Sequence, residues 1–230
     1  MVHFTLFGIP VYIRPSFWVV LAIFGGALSI SSVEDLIYPA LFVIAGFVAI
    51  LSHEMGHALV GRKLGGGQQT IVLELFGGLT SSHGMQLTRG GRALMILAGP
   101  MMTLLLGIIS LWLTWNIVAP VMTSYNLNFW DLAISPFTAA LISPKLYILS
   151  CLIMIGEWWT LLNLLPIYPL DGGQLIAQYI RSPRKVFMTG FITSILIGLL
   201  SFQLFHGYFI PIFMALFAYS NYREYKNAPF

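Results

Sequence analysis

The chain of 230 residues is 58% hydrophobic and only 8% charged, with a mean hydropathy of +0.86, against about 25% charged residues in soluble domains. That excludes a soluble globular protein and predicts an integral membrane protein with room for about six helices of roughly 20 residues each. The net charge of +3 does not signal nucleic-acid binding, because the basic residues sit at the ends of apolar runs rather than in one patch. Cys151 is the sole cysteine, which leaves no intramolecular disulfide and no cysteine metal cluster.

Residues 1–15 (MVHFTLFGIPVYIRP) alternate apolar with polar or small residues and contain Pro10 and Pro15, predicting a short strand or interfacial segment. A first helix is predicted over 16–30. Arg14 ahead of it and Ala27-Leu28-Ser29 resemble a signal peptide, but cleavage would remove the helix that sets orientation. A second helix covers about 41–60 and ends at Arg62-Lys63. The following stretch, 65–91, is too polar and too rich in glycine to span a bilayer. Its core, QTIVLELFGGLTS, predicts one or two short strands joined at Gly77-Gly78, as a re-entrant or membrane-edge hairpin.

A third helix is predicted over 93–118, interrupted and kinked at Gly99-Pro100, because proline removes a helix hydrogen bond. Residues 119–144 read as a loop with an interfacial segment. The fourth helix, 145–165, runs into NLLPIYPLDGGQ, where Pro166, Pro169 and Gly172-Gly173 break it. Non-helical backbone at membrane depth is tolerated where it lines a site or is buried in protein. Helices over 186–205 and 208–219 close the chain. The expected fold is an all-α polytopic membrane protein, with about six transmembrane helices, a short re-entrant β segment after the second, and one domain over 1–230.

Charge asymmetry sets an orientation. With a cytosolic N-terminus and six crossings, Arg14, Arg62, Lys63, Arg89, Arg92, Arg181, Arg184, Lys185, Arg223 and Lys226 all fall on the cytosolic side, ten of the eleven Lys and Arg; Lys145 lies outside. This is the positive-inside pattern. It predicts cytosolic N- and C-termini in what is expected to be a bacterial cytoplasmic membrane.

The second helix carries Ser52-His53-Glu54-Met55-Gly56-His57 inside an otherwise lipid-compatible run. Four residues apart, His53 and His57 lie about 40° around the axis and face the same way, with Glu54 flanking them. Ionisable groups in such a setting are expensive and functional by default. The pattern is H-E-x-x-H, in which two histidines bind zinc and the Glu acts as base toward a water. Counted from Arg62, His57 and His53 lie roughly 8 and 14 Å in from the cytosolic end. Catalytic zinc typically has three protein ligands, and Glu74, Glu157, Asp171, His3, His83 and His206 are the candidates for the third. Asp171 ranks first, because the broken end of the fourth helix can carry a carboxylate back toward the His pair.

HEMGH in a transmembrane helix, then LFGG, then AGP, then NLLPIYPLDGG together resemble the site-2 protease family of intramembrane zinc metalloproteases, over about 42–174. The short form, without PDZ insertion or CBS module, is similar to a bacterial branch that includes a protease processing a sporulation sigma-factor precursor. The resemblance implies one Zn2+ held by His53, His57 and Asp171, with Glu54 as catalytic base and Asn163 near the reacting carbonyl. It further implies a re-entrant segment at Gly77-Gly78 near the substrate, which would be a transmembrane protein or a membrane-associated peptide. Thr103 stands where the family often has Asn, Tyr168 where it often has Pro, and Glu157 is unusual in the fourth helix.

Hydrolysis within or near a substrate's transmembrane segment is therefore expected, with the strand edge at 70–75 holding the unwound peptide by strand addition. Two alternatives use the same residues: a metal transporter, and a non-catalytic membrane binding protein on the same fold. The first needs polar residues along a path through both leaflets, which the extracytosolic halves of these helices lack. The second leaves the complete His53, Glu54, His57 and Asp171 set without purpose.

Overall fold

In the computed structural model, which describes residues 1–75, 77–84, 86–125 and 128–229, Phe7 and Gly8 both have positive φ, 49° and 73°. Two such residues make the tight turn whose twist matches that of paired strands. They join β1 (Val2–Leu6) to β2 (Ile9–Ile13) as an antiparallel hairpin, so the predicted strand or interfacial segment is a strand pair. Pro15 then opens α1 (Pro15–Phe24) at a position where its missing N–H costs nothing. Short 3-10 turns at Ala27–Ser29 and Glu34–Leu36 lead into α2 (Ile37–Gly65).

After α2 come β3 (Gln68–Glu74) and β4 (Gly77–His83), antiparallel to each other. β3 also pairs with β2 in parallel, Val11 against Ile71 and Ile13 against Leu73. Parallel neighbours need a crossover connection, and α1 with α2 supplies it. The result is one sheet in the order β1-β2-β3-β4, so the all-α expectation is corrected to a mainly helical protein carrying a four-stranded sheet. Strand addition at 70–75 is corrected as well: β3 is flanked by β2 and β4, and β4 is an edge strand. The sequence showed a β3–β4 hairpin, but Gly77 and Gly78, expected to join the strands, are already in β4, paired with Glu74 and Leu73; its partner β2 was not seen, because pairing across two helices leaves no local trace. Phe76 of the LFGG motif falls outside the described residues, as do the side chains of Glu34 and Asp131.

Alternate residues Ile9, Val11 and Ile13 of β2, with Ile71 and Leu73 of β3, are buried together with Phe17 and Leu21 of α1 and Ile50, Met55 and Ala58 of α2. This period of two gives the sheet one packed face.

α3 (Arg89–Tyr125) runs through Pro100 and Pro120 without the predicted interruption. Buried hydroxyls sit just past the first proline: Thr103 Oγ1 lies 3.0 Å from the Pro100 carbonyl and 2.8 Å from Thr160 Oγ1. The predicted loop over 119–144 is instead the end of α3, then α4 (Phe129–Ile134) and α5 (Pro136–Ala140). α6 (Pro144–Asn163), α7 (Asp171–Ala177), α8 (Pro183–Phe205) and α9 (Phe209–Asn227) follow.

The chain divides into two compact units, Met1–Thr160 and Leu161–Phe230. Among the described residues, four helices are long and apolar enough to cross a membrane: Ile37–Gly65, Arg89–Pro120, Pro144–Asn163 and Pro183–Leu204. α1, at ten residues, covers about half of a 30 Å hydrocarbon core, and the last turns of α9 carry Arg223, Glu224 and Lys226. About six spans were expected.

Between helices in lipid, packing of small residues replaces the hydrophobic effect as the source of association. Gly56 shows this. A Cβ there would overlap the Ala98 carbonyl of α3 and come 2.8 Å from Met102 Cγ, whereas a Cβ on Gly107 would meet nothing within 4 Å. Gly56→Ala is expected to lower the melting temperature in detergent by the equivalent of about 1–3 kcal/mol of overpacking, and Gly107→Ala to leave it unchanged; thermal denaturation of the two variants checks this.

Candidate metal centre and its surroundings

α2 places His53, Glu54 and His57 in the interior, at 2, 5 and 7% exposure. The i, i+4 spacing brings His53 Nε2 and His57 Nε2 to 3.1 Å, with the rings nearly perpendicular at 81°. His57 Nδ1 lies 2.8 Å from the Met95 carbonyl of α3. A carbonyl can only accept, so Nδ1 carries the ring proton and the lone pair sits on Nε2, facing His53. That arrangement fits a metal ion. Two Zn–N bonds of about 2.0–2.1 Å at a tetrahedral angle put their nitrogens about 3.3 Å apart, and a backbone carbonyl on the other ring nitrogen is the usual support for a ligating imidazole.

Glu54 is met from the sheet. Thr80 Oγ1 lies 2.7 Å from Glu54 Oε2 and 3.1 Å from the Glu54 carbonyl. Gly78, two residues earlier and so on the same face of β4, is covered by the Glu54 side chain, whose Cγ a Cβ there would overlap. Gly99 plays the same part for the imidazoles: a Cβ on it would overlap His57 Nε2 and come 2.8 Å from His53 Nε2. Gly78 of LFGG and the Gly of AGP are thus the places where β4 and α3 close on α2, while Gly77 is packed against Trp159 of α6.

The other candidate ligands of the first unit lie elsewhere in it. Glu74 forms an ion pair with Arg14 at 2.8 Å. His3 stacks on Tyr12. His83 ends β4, exposed and on the strand face opposite Thr80. Glu157 is exposed on α6.

In the second unit, Asn163 is the last residue of α6, and Asp171 opens α7 as a residue only 5% exposed. The fourth predicted helix therefore ends two residues early, and Asp171 stands at the start of a separate seven-residue helix rather than in irregular backbone. Cβ atoms on Gly172 and Gly173 would overlap the carbonyls of Leu164 and Leu165 and the backbone of Ile167, so the first turn of α7 can fold against residues 164–167 only with glycine there. The loop is held from α9, where Asn221 Nδ2 donates to the carbonyls of Tyr168 at 2.7 Å and Phe217 at 2.9 Å. His206 caps α8 in a left-handed conformation.

A family profile described as peptidase family M50 matches residues 41–205. The chain belongs to this family. Among relatives of this M50 protein, a zinc metalloprotease of Methanocaldococcus jannaschii is 28% identical over 224 residues, which are 94% of this chain and 57% of the relative. A putative zinc metalloprotease of Synechocystis is 29% identical over 188 residues, 76% of this chain and 43% of the relative. The M50 chain thus spans just over half the length of the first relative and less than half of the second. A solved site-2 protease from Methanocaldococcus jannaschii has the same fold, with a TM-score of 0.62 at 23% identity, covering 97% of this chain and 94% of that one. With four apolar helices, the M50 chain is a multi-pass membrane protein, and the motif resemblance to site-2 proteases holds.

Sequence reasoning missed two groups in this M50 chain. The Met95 carbonyl is backbone and has no sequence signal. Thr80 had one: it stands two positions after Gly78, so on a strand it shares the glycine's face. Gly99→Ala is expected to push the imidazoles apart and weaken divalent-metal affinity by about 10–100-fold, the scale of a lost supporting contact; chelator competition on the purified protein measures it.

Proposed function

We propose that this protein is an intramembrane zinc metalloendopeptidase of the site-2 type, hydrolysing a peptide bond within or near the transmembrane segment of a membrane protein. The observation that carries this reading is the convergence of two buried imidazoles and a buried carboxylate on α2, in a chain of the M50 family whose relatives bear the name zinc metalloprotease. His53 and His57 would hold the metal through their facing Nε2 atoms. Asp171 supplies the third ligand; its support is the LDG motif and a carboxyl buried at the start of α7. Zinc, when bound, supplies the Lewis acidity that brings the pKa of water toward about 7 and polarises a carbonyl.

Glu54 takes the proton of the attacking water and returns it to the leaving amine. Asn163 donates to the developing oxyanion, a contribution of about 10² to 10³ in rate for such a donor. The substrate helix hides its scissile carbonyl in hydrogen bonds and must be extended first. β4, as an edge strand beside Glu54, takes it by strand addition.

The membrane placement is part of the same reading. Arg62, at the end of α2, donates from Nη1 to the Phe7 carbonyl at 2.8 Å, and the Arg14 amide donates to the Leu73 carbonyl at 2.9 Å. The start of α1, the end of α2 and the sheet therefore share one end of the first unit, which agrees with Arg14 and Arg62 lying on one side of the membrane in the reading of six crossings with cytosolic termini. Phe17 and Leu21 of α1 meet Phe47 and Gly46 of α2, while β4 meets α2 at Glu54. That puts the hairpin beside the cytosolic half of the span, as a re-entrant segment would lie. Both units together form the protease domain.

Glu54→Gln is expected to retain one zinc per chain and lose cleavage by at least about 10²-fold, and Asp171→Ala to lose zinc. Co-expression with candidate single-pass membrane proteins scores the processed fragments, and elemental analysis scores the metal. Cleavage by Glu54→Gln at the wild-type rate would overturn the reading.

A further inference from the structure

The catalytic base proposed above has two carboxylate oxygens, and their surroundings differ. Thr80 Oγ1 lies 2.7 Å from Oε2 and 3.1 Å from the Glu54 main-chain carbonyl. A hydroxyl has one proton to donate. The carbonyl sits within the regular hydrogen bonding of α2, whereas an ionised carboxylate oxygen takes charge-assisted bonds at about 2.5–2.7 Å and roughly twice the strength of neutral ones. The shorter contact therefore receives the proton. Oε1 has a different neighbour: it lies over Gly78, where a Cβ would come 2.6 Å from it. The same strand thus engages one oxygen with a hydroxyl and, by having no side chain at Gly78, admits the Glu54 carboxylate arm against its backbone. β4 pairs in register with β3, Thr80 opposite Ile71 and Gly78 opposite Leu73, and both partners are fully buried. The register that places Thr80 and Gly78 is therefore anchored in the core of the sheet.

From this geometry we propose that Thr80 is a positioning residue for the general base, its hydroxyl holding Oε2 of Glu54 so that Oε1 is the oxygen that accepts the proton of the attacking water. This rests on Glu54 being the base. The role asks for a donor at a fixed place, not for bulk. Valine has the shape of threonine and removes the donor; serine keeps the donor on a smaller side chain.

The test uses purified full-length protein loaded with zinc in detergent micelles, with an extended apolar fluorogenic peptide as probe. Wild type, Glu54→Gln, Thr80→Val and Thr80→Ser are compared. For Thr80→Val the expected result is a kcat about 10- to 100-fold down, with KM within about threefold and one zinc retained, the pattern of an interaction made in the transition state. Thr80→Ser is expected to return kcat to within about threefold of wild type. A second readout does not depend on turnover: the infrared difference between each protein and its Glu54→Gln counterpart isolates the Glu54 carboxylate stretch. Thr80→Val should shift that band and Thr80→Ser restore it.

The proposal is overturned if Thr80→Val keeps the wild-type kcat and band position. It is also overturned if Thr80→Ser fails as badly as Thr80→Val, or if the loss appears in zinc content or KM. A Glu54→Gln that cleaves the probe like wild type would instead overturn the choice of base, whatever Thr80 does.

Discussion

Two imidazoles and a carboxylate sit on one helix that is otherwise apolar enough to cross a bilayer, and the neighbouring elements answer to that fact. A polar group moved out of water without a partner costs roughly 2–7 kcal/mol, while a hydrogen bond made in exchange nets only about 1 kcal/mol. The penalty for leaving a group unmet is therefore the larger force on the fold. It is met from two directions: the sheet brings Thr80 to Glu54, and α3 brings the Met95 carbonyl to His57. Both approaches need backbone to come close to α2, and glycine stands at the closest points, Gly78 and Gly99.

Burial then orders the rest of the first unit. The sheet is held by Ile9, Val11, Ile13, Ile71 and Leu73 against α1 and α2, so its packed face lies toward the helix that carries the polar cluster. At the rim, Arg14 with Glu74 and Arg62 with the Phe7 carbonyl tie the sheet to the helix ends. Half-exposed ion pairs of this kind contribute about 0–1 kcal/mol, far less than the core beneath them. In the second unit, Asn221 gives the Tyr168 carbonyl of the loop before α7 a donor, and Gly172-Gly173 let that loop and the first turn of α7 pack closely.

What was legible in the sequence follows from range. The H-E-x-x-H pair is a property of one helix, and four residues of spacing specify which side chains converge. The long apolar helices were visible for the same reason, with α2, α3, α6 and α8 lying over their predicted cores. The β3–β4 hairpin, joined within a few residues, was also visible. What was hidden depends on contacts distant in the chain. The parallel pairing of β2 with β3 spans two helices, so the edge strand was misplaced by one. α3 was expected to break at Pro100, since proline removes a helix hydrogen bond, but its apolar run continues past the proline and the helix goes on through it. Asp171 was placed in irregular backbone because a seven-residue helix that follows two prolines and holds Gly-Gly in its first turn has no periodic pattern to detect.

The parallel β2–β3 pair also bears on how the protein comes into being. β2 precedes two helices and β3 follows them, so their ladder cannot close until α1 and α2 have been made and have turned back on each other. β4 is paired to β3 alone, and Thr80 reaches Glu54 only once that sheet is seated on α2. During synthesis the histidine pair therefore exists as soon as α2 coils, but the carboxylate beside it acquires its partner later. A nascent chain in this order carries its buried imidazole pair before the sheet that meets Glu54 has formed.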